Sequence, residues 1–114
     1  MKIGHIELSV ANPLKSKEFY VNVLGFKVVY NQDDKFLWLK LGEQEILLRP
    51  GQGIKHSETF NRSPSNIVFY TDNLVQKRSE LVERGLKFIG EDHGSPTFSD
   101  LDGNWFQLVN PNEH

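Results

Sequence analysis

The feature that most constrains this chain is that its second half repeats the layout of its first. Residues 5–29 read HIELSVANPLKSKEFYVNVLGFKVV, and residues 66–89 read NIVFYTDNLVQKRSELVERGLKFI. At an offset of 61, Ile67 falls under Ile6, Asn73 under Asn12 and Val82 under Val21. After one deletion, Gly85 falls under Gly25 and Lys87 under Lys27. What recurs is a set of signals more than a set of identities. An alternating apolar run comes first, then an asparagine able to cap a helix, an apolar helical face, and a glycine that stops it. Internal repetition of this kind points to duplication of one supersecondary unit.

In the first copy Ile6, Leu8 and Val10 alternate with Glu7 and Ser9, the period of a half-buried strand, which predicts a strand over residues 2–10. Asn12 suits the N-cap and Pro13 the first helical position, while Phe19, Tyr20, Val23 and Leu24 gather on one helix face before Gly25. Extended segments then follow over residues 27–30, 35–41 and 45–49, and in the second copy over 87–90, 97–99 and 105–109. Turns are expected at Asp33 with Asp34, Gly42 with Glu43, and Asp102 with Gly103. The fold class that results is α+β: two βαβββ modules whose mixed sheets curl around a cleft. Module one covers about residues 1–50 and module two about 65–114, together one two-module domain. The Gly-, Ser- and Pro-rich segment 50–65 is long for a plain connector and is a candidate lid, with its centre at about 51–64.

Composition removes several function classes. The 114 residues contain no cysteine, so disulfides, thiolate metal centres and a cysteine nucleophile are excluded. Thirteen basic against fifteen acidic residues give a formal charge of −2 with no basic stripe, which argues against nucleic acid as a partner. The opening MKIGHIELSV alternates where a signal peptide would be continuously apolar, and no run is long enough to cross a bilayer. A cytoplasmic protein without a membrane partner is the expectation. Neither a Ser-His-Asp arrangement nor a phosphate-cradling glycine loop can be assembled.

His5, FYVNVLGF at 19–26, EILLRP at 45–50, NIVFYTDNL at 66–74 and DGNWFQLVNP at 102–111 together resemble the vicinal oxygen chelate superfamily, the glyoxalase, bleomycin-resistance and extradiol-dioxygenase group. The resemblance covers nearly the whole chain. It implies two βαβββ modules around a cleft, with metal ligands, in the metal-dependent members, on the first and last strands of each module. Carried over by position, those places are His5, Leu47, Asn66 and Gln107, and three of the four depart from the histidine and glutamate that the family uses. Neutral amide oxygens beside one imidazole compete poorly with water for a divalent transition metal, so no metal and no other cofactor is expected. Glu45 shares a strand face with Leu47 but is displaced from it by about 6–7 Å, and it is read as a solvated carboxylate beside a turn rather than a replacement ligand. His56, His93 and His114 are read as surface histidines.

Strand parity assigns the faces. With Ile6, Leu8, Ile67, Phe69, Phe106 and Leu108 under the helices, the cleft receives His5, Glu7, Asn66, Val68, Tyr70, Trp105 and Gln107, joined by Leu47, Arg49, Phe36 and Trp38. Trp38, Trp105 and Tyr70 offer stacking surfaces, Arg49 a bidentate grip on an acid group, and Phe60 an apolar contact from the lid. The ligand-binding set is thus His5, Trp38, Leu47, Arg49, Phe60, Asn66, Tyr70, Trp105 and Gln107. It describes a metal-independent protein that binds a planar or aromatic small molecule, as in the bleomycin-resistance branch. Two alternatives stand beside it: a metal-dependent glyoxalase-like lyase, thiol transferase or dioxygenase using His5, and a module whose cleft takes a protein partner. Curled sheets leave edges and apolar surface, so a homodimer is expected.

Overall fold

A computed structural model of the chain describes residues 1–51 and 57–113. The backbone falls into two compact units, Met1–Lys55 and His56–His114. Unit one runs β1 (Ile6–Val10), α1 (Pro13–Glu18), a single π-turn (Phe19–Val23), β2 (Lys27–Gln32), β3 (Phe36–Leu41) and β4 (Gln44–Pro50). Unit two runs β5 (Asn66–Tyr70), α2 (Leu74–Glu83), β6 (Glu91–Asp92), β7 (Ser95–Ser99) and β8 (Trp105–Val109), with short 3₁₀ turns at Phe60–Arg62 and Pro111–Glu113. The sheets share one topology. Unit one has the order β1-β4-β3-β2 and unit two β5-β8-β7-β6. In each, the first strand lies parallel to the last, a pairing reached through a helical connection, and the other neighbours are antiparallel.

The repeated signals act as their chemistry requires. The Asn12 side chain accepts a hydrogen bond from the Lys15 amide at 3.2 Å, and that of Asn73 accepts one from Gln76 at 3.0 Å, each satisfying a free first-turn donor. Gly25 (φ 90°) and Gly85 (φ 105°) take the left-handed conformation that ends the helix without Cβ strain. The single-residue deletion between the copies also has a structural form. Unit one must fit one more residue between cap and stop, and it does so in the π-turn, where Leu24 donates to the Phe19 carbonyl five residues back.

The face parity expected from the sequence is the observed one. Ile6, Leu8 and Val10 pair in register with Ile46, Leu48 and Pro50, and Leu37 and Leu39 sit opposite Leu48 and Ile46. Leu37, Leu39, Ile46, Leu48 and Val10 are buried, as is Tyr20. In unit two Ile67, Phe69, Phe98, Phe106 and Leu108 share the equivalent face.

Two strand boundaries differ from expectation. β1 begins at Ile6, so residues 2–5 approach the sheet without joining its ladder. Residues 87–90 are not a strand. Ile89 and Gly90 exchange hydrogen bonds with Thr97, but Gly90 turns left-handed at φ 79°, and regular pairing with β7 is confined to Glu91 and Asp92. The Thr97 hydroxyl donates to the Ile89 carbonyl at 2.5 Å and holds this irregular stretch in place. Asp33 and Asp34 form their turn with both residues at positive φ, braced by Asn31, whose side chain bonds the Asp34 amide and carboxylate. Residues 52–56 of the candidate lid, His56 among them, and His114 lie outside the described residues. No helix among the described residues is long and apolar enough to cross a membrane.

Candidate functional site

On the other face of the unit-one sheet, strand alternation brings together Glu7, Trp38, Leu47 and Arg49, and His5, just ahead of β1, reaches them through Glu7 and Trp38. Glu7 is in register with Leu47, and Leu47 in turn lies across from Trp38. Glu7 is shared: its Oε2 lies 2.9 Å from His5 Nε2, and its Oε1 accepts from Arg49 Nη1, also at 2.9 Å. The His5 ring meets Trp38 edge to face, with centroids 4.6 Å apart. Beneath these groups Leu47 is buried, whereas Arg49 and Glu7 are exposed.

The hydrogen bond to His5, followed by the one from Arg49, holds the Glu7 carboxyl below its ordinary range. A carboxylate whose folded-state value is depressed adds stability that is present above the ordinary glutamate range and is lost as pH falls through the lowered value. In an NMR titration the Glu7 carboxyl carbon is expected to titrate below free glutamate. Arg49→Gln and His5→Ala should each move that titration upward. An unchanged midpoint in both variants would contradict the shared bonding.

In unit two the corresponding face carries Asn66, Val68 and Tyr70 on β5, with Trp105 and Gln107 on β8. Trp105 and Gln107 are buried and bonded within their own unit. Trp105 Nε1 donates to the Ser57 carbonyl at 2.8 Å, and Gln107 Nε2 donates to the carbonyls of Asp92 (2.9 Å) and Ser95 (3.5 Å). The segment running into Phe60 thus lies against Trp105, and a cavity of about 200 Å³ is lined there by Phe60, Ile89, Thr97 and Trp105, with Glu58 and Glu91 also contributing. Asn66 and Tyr70 are exposed. Tyr70 borders a separate open depression with Asp72 and Pro111.

The nine residues selected from the sequence therefore divide. His5, Trp38, Leu47 and Arg49 form one cluster; Phe60 and Trp105 line one cavity; Gln107 is engaged by the β6–β7 turn; Asn66 and Tyr70 face outward on an edge strand. Glu7, placed in the cleft from the sequence but left out of the ligand-binding set, is the residue that joins the first cluster. Its spacing of two from His5 was the available signal.

A metal of the kind the resemblance implies would need donors at His5, Leu47, Asn66 and Gln107. Of the four positions, one is an alkyl side chain and two are amides. Gln107, oriented by its two Nε2 hydrogen bonds, has only a neutral amide oxygen to offer a metal, and His5 Nε2 is engaged with Glu7. Among the described residues no group of three His, Cys, Asp or Glu side chains is placed to hold a metal ion. These residues do not fit a divalent transition metal.

The family model described as Glyoxalase/Bleomycin resistance protein/Dioxygenase superfamily matches residues 2–108. The chain belongs to this superfamily. Among the relatives of this superfamily member is the metallothiol transferase FosB of Staphylococcus haemolyticus, 30% identical over 115 residues that cover 93% of this chain and 81% of FosB. Its fold is also that of the fosfomycin resistance protein FosX of Listeria monocytogenes, with a TM-score of 0.77 at 19% identity over 94% of this chain and 88% of the other. An integron cassette protein of Vibrio cholerae superposes with a TM-score of 0.69 at 25% identity, covering 97% and 98% of the two chains.

Proposed function

We propose that this superfamily member binds a planar or aromatic small molecule on the open sheet faces without a metal ion. The observation that carries this reading is the donor set. Where the superfamily places imidazoles and a carboxylate, this chain has Leu47, Asn66 and Gln107, while the half-buried Trp38 supplies aromatic surface. Protein purified without an affinity tag should carry far less than one equivalent of zinc, nickel, iron or manganese by elemental analysis. Calorimetric titration with each ion should show no tight binding. Stoichiometric metal, lost in His5→Ala, would replace this reading with the next.

That second reading is a thiol transferase using His5, favoured by the name of the relative FosB and its 30% identity. It requires metal-dependent consumption of a thiol cosubstrate, which a thiol assay with and without chelator measures.

A homodimer belongs to the first reading. Strand β2 is an edge strand that leaves Val28, Val29 and Tyr30 exposed, and unpaired apolar edges favour self-association. Sedimentation equilibrium at micromolar concentration should give twice the chain mass, and a monomer there removes the claim.

A further inference from the structure

We infer that the unit-one cluster selects an aromatic anion, its ring lying on Trp38 and its carboxylate docking on the guanidinium of Arg49. This rests on the planar-ligand reading and adds a charge and an orientation to it. The argument is an inventory of donors and acceptors. Glu7 is the cluster's acceptor, and both its oxygens are engaged, Oε2 with His5 and Oε1 with Arg49. A cationic ligand would have to share a carboxylate whose two oxygens each already hold a partner. Arg49, by contrast, uses Nη1 alone toward Glu7 and has no other described partner, so its planar fork keeps donors for a second carboxylate. The unspent donors of Arg49 therefore outnumber the acceptors bonded to it, and a carboxylate from outside would meet them.

The remaining charges on this face do not reverse that preference. Lys40 stands opposite Glu45 in the β3–β4 register and opposite Lys27 in the β2–β3 register, and also lies 3.8 Å from Glu43, so these groups add no net negative charge. Trp38 is half-buried and held edge to face by His5, and Leu47 beside it is buried, so the two form an apolar floor. Arg49 stands two residues beyond Leu47 on the same strand face, about 6.6 Å along β4. That is the reach of an aryl ring with a directly attached carboxylate plus one hydrogen bond. Glu7 also braces Arg49 before the ligand arrives, so less side-chain freedom is lost on binding.

The probes are 2-naphthoate and its neutral isostere 2-naphthamide, titrated into isotopically labelled protein at constant ionic strength. Naphthoate should shift the Trp38 indole and Arg49 guanidinium signals and bind about tenfold more tightly than naphthamide, the worth of one charge-assisted pair. Arg49→Gln should lower naphthoate affinity about tenfold and naphthamide affinity by clearly less, because the amide loses only a neutral acceptor's bond, and Arg49→Lys should recover part of the naphthoate loss, because a point charge lacks the fork. Equal affinities for the two probes, with both shifting Trp38, would overturn the anion inference while sparing the planar-ligand reading. Failure of both probes to perturb Trp38 at millimolar concentration would overturn both.

Discussion

Gln107→Glu is expected to destabilise the protein by about 2–4 kcal/mol at neutral pH, the scale for stranding buried polar groups and burying an unpaired charge. The substitution restores the carboxylate found at this position in metal-dependent relatives, and sequence alone would rate it as mild. The structure gives the reason for a large effect. Gln107 is only 7% exposed, and its Nε2 donates to the Asp92 and Ser95 carbonyls. A carboxylate cannot donate, so two carbonyls would face an anion with little water to screen it. Burial should raise the introduced carboxyl's pKa above its unfolded value. The folded state then binds more protons than the unfolded state, and the variant's deficit should shrink as pH falls through that window and grow as pH rises through it. Urea unfolding at several pH values measures this. Gln107→Met loses the donor without adding charge, and should show a smaller loss with no such pH dependence. A Gln107→Glu variant as stable as the parent at neutral pH would show that the side chain does not anchor the β6–β7 turn.

Phe98→Ala should be costlier still, about 3–5 kcal/mol, from lost apolar transfer and an unfilled cavity. Phe98 lies on β7 inside the unit-two sheet with no exposed surface. Its ring stacks on Phe106 at 5.2 Å and Phe69 at 6.2 Å, and meets Phe88 edge to face at 5.6 Å. Removing it deprives three aromatic rings of a partner at once, and strands on either side limit how far the gap can close. Against a total folding stability of about 5–15 kcal/mol for a domain, that loss leaves little margin. Val75→Ala on α2 is the contrasting change: Val75 is largely exposed, and the effect should stay within about 0.5 kcal/mol. Denaturant midpoints for the two variants compare them directly, and near-equal midpoints would mean that the aromatic stack is not the core of unit two.

The sequence by itself determined what depends on near neighbours. An Asn cap acts within one helical turn and a Gly stop acts on its own φ, so both helices follow from local spacing, whereas the π-turn that absorbs the extra residue was seen only in the structure. Strand parity is equally local, and for that reason the face carrying Glu7, Trp38, Leu47 and Arg49 was readable from alternation. The family resemblance, too, was visible in short motifs. The tertiary structure decided which partners those side chains take. Residues 87–90 have strand-like apolar residues in Phe88 and Ile89, yet the ladder there is settled by Gly90 turning left-handed and by the Thr97 hydroxyl reaching the Ile89 carbonyl. Arg49 finds Glu7, which lies 42 residues earlier, and Trp105 finds the Ser57 carbonyl, 48 residues earlier. Whether a cavity-facing amide or indole awaits a ligand or is already satisfied depends on which distant carbonyl the folded register brings within about 3 Å. A pattern of residue types fixes where a side chain points, and only the assembled sheet supplies the atom it meets.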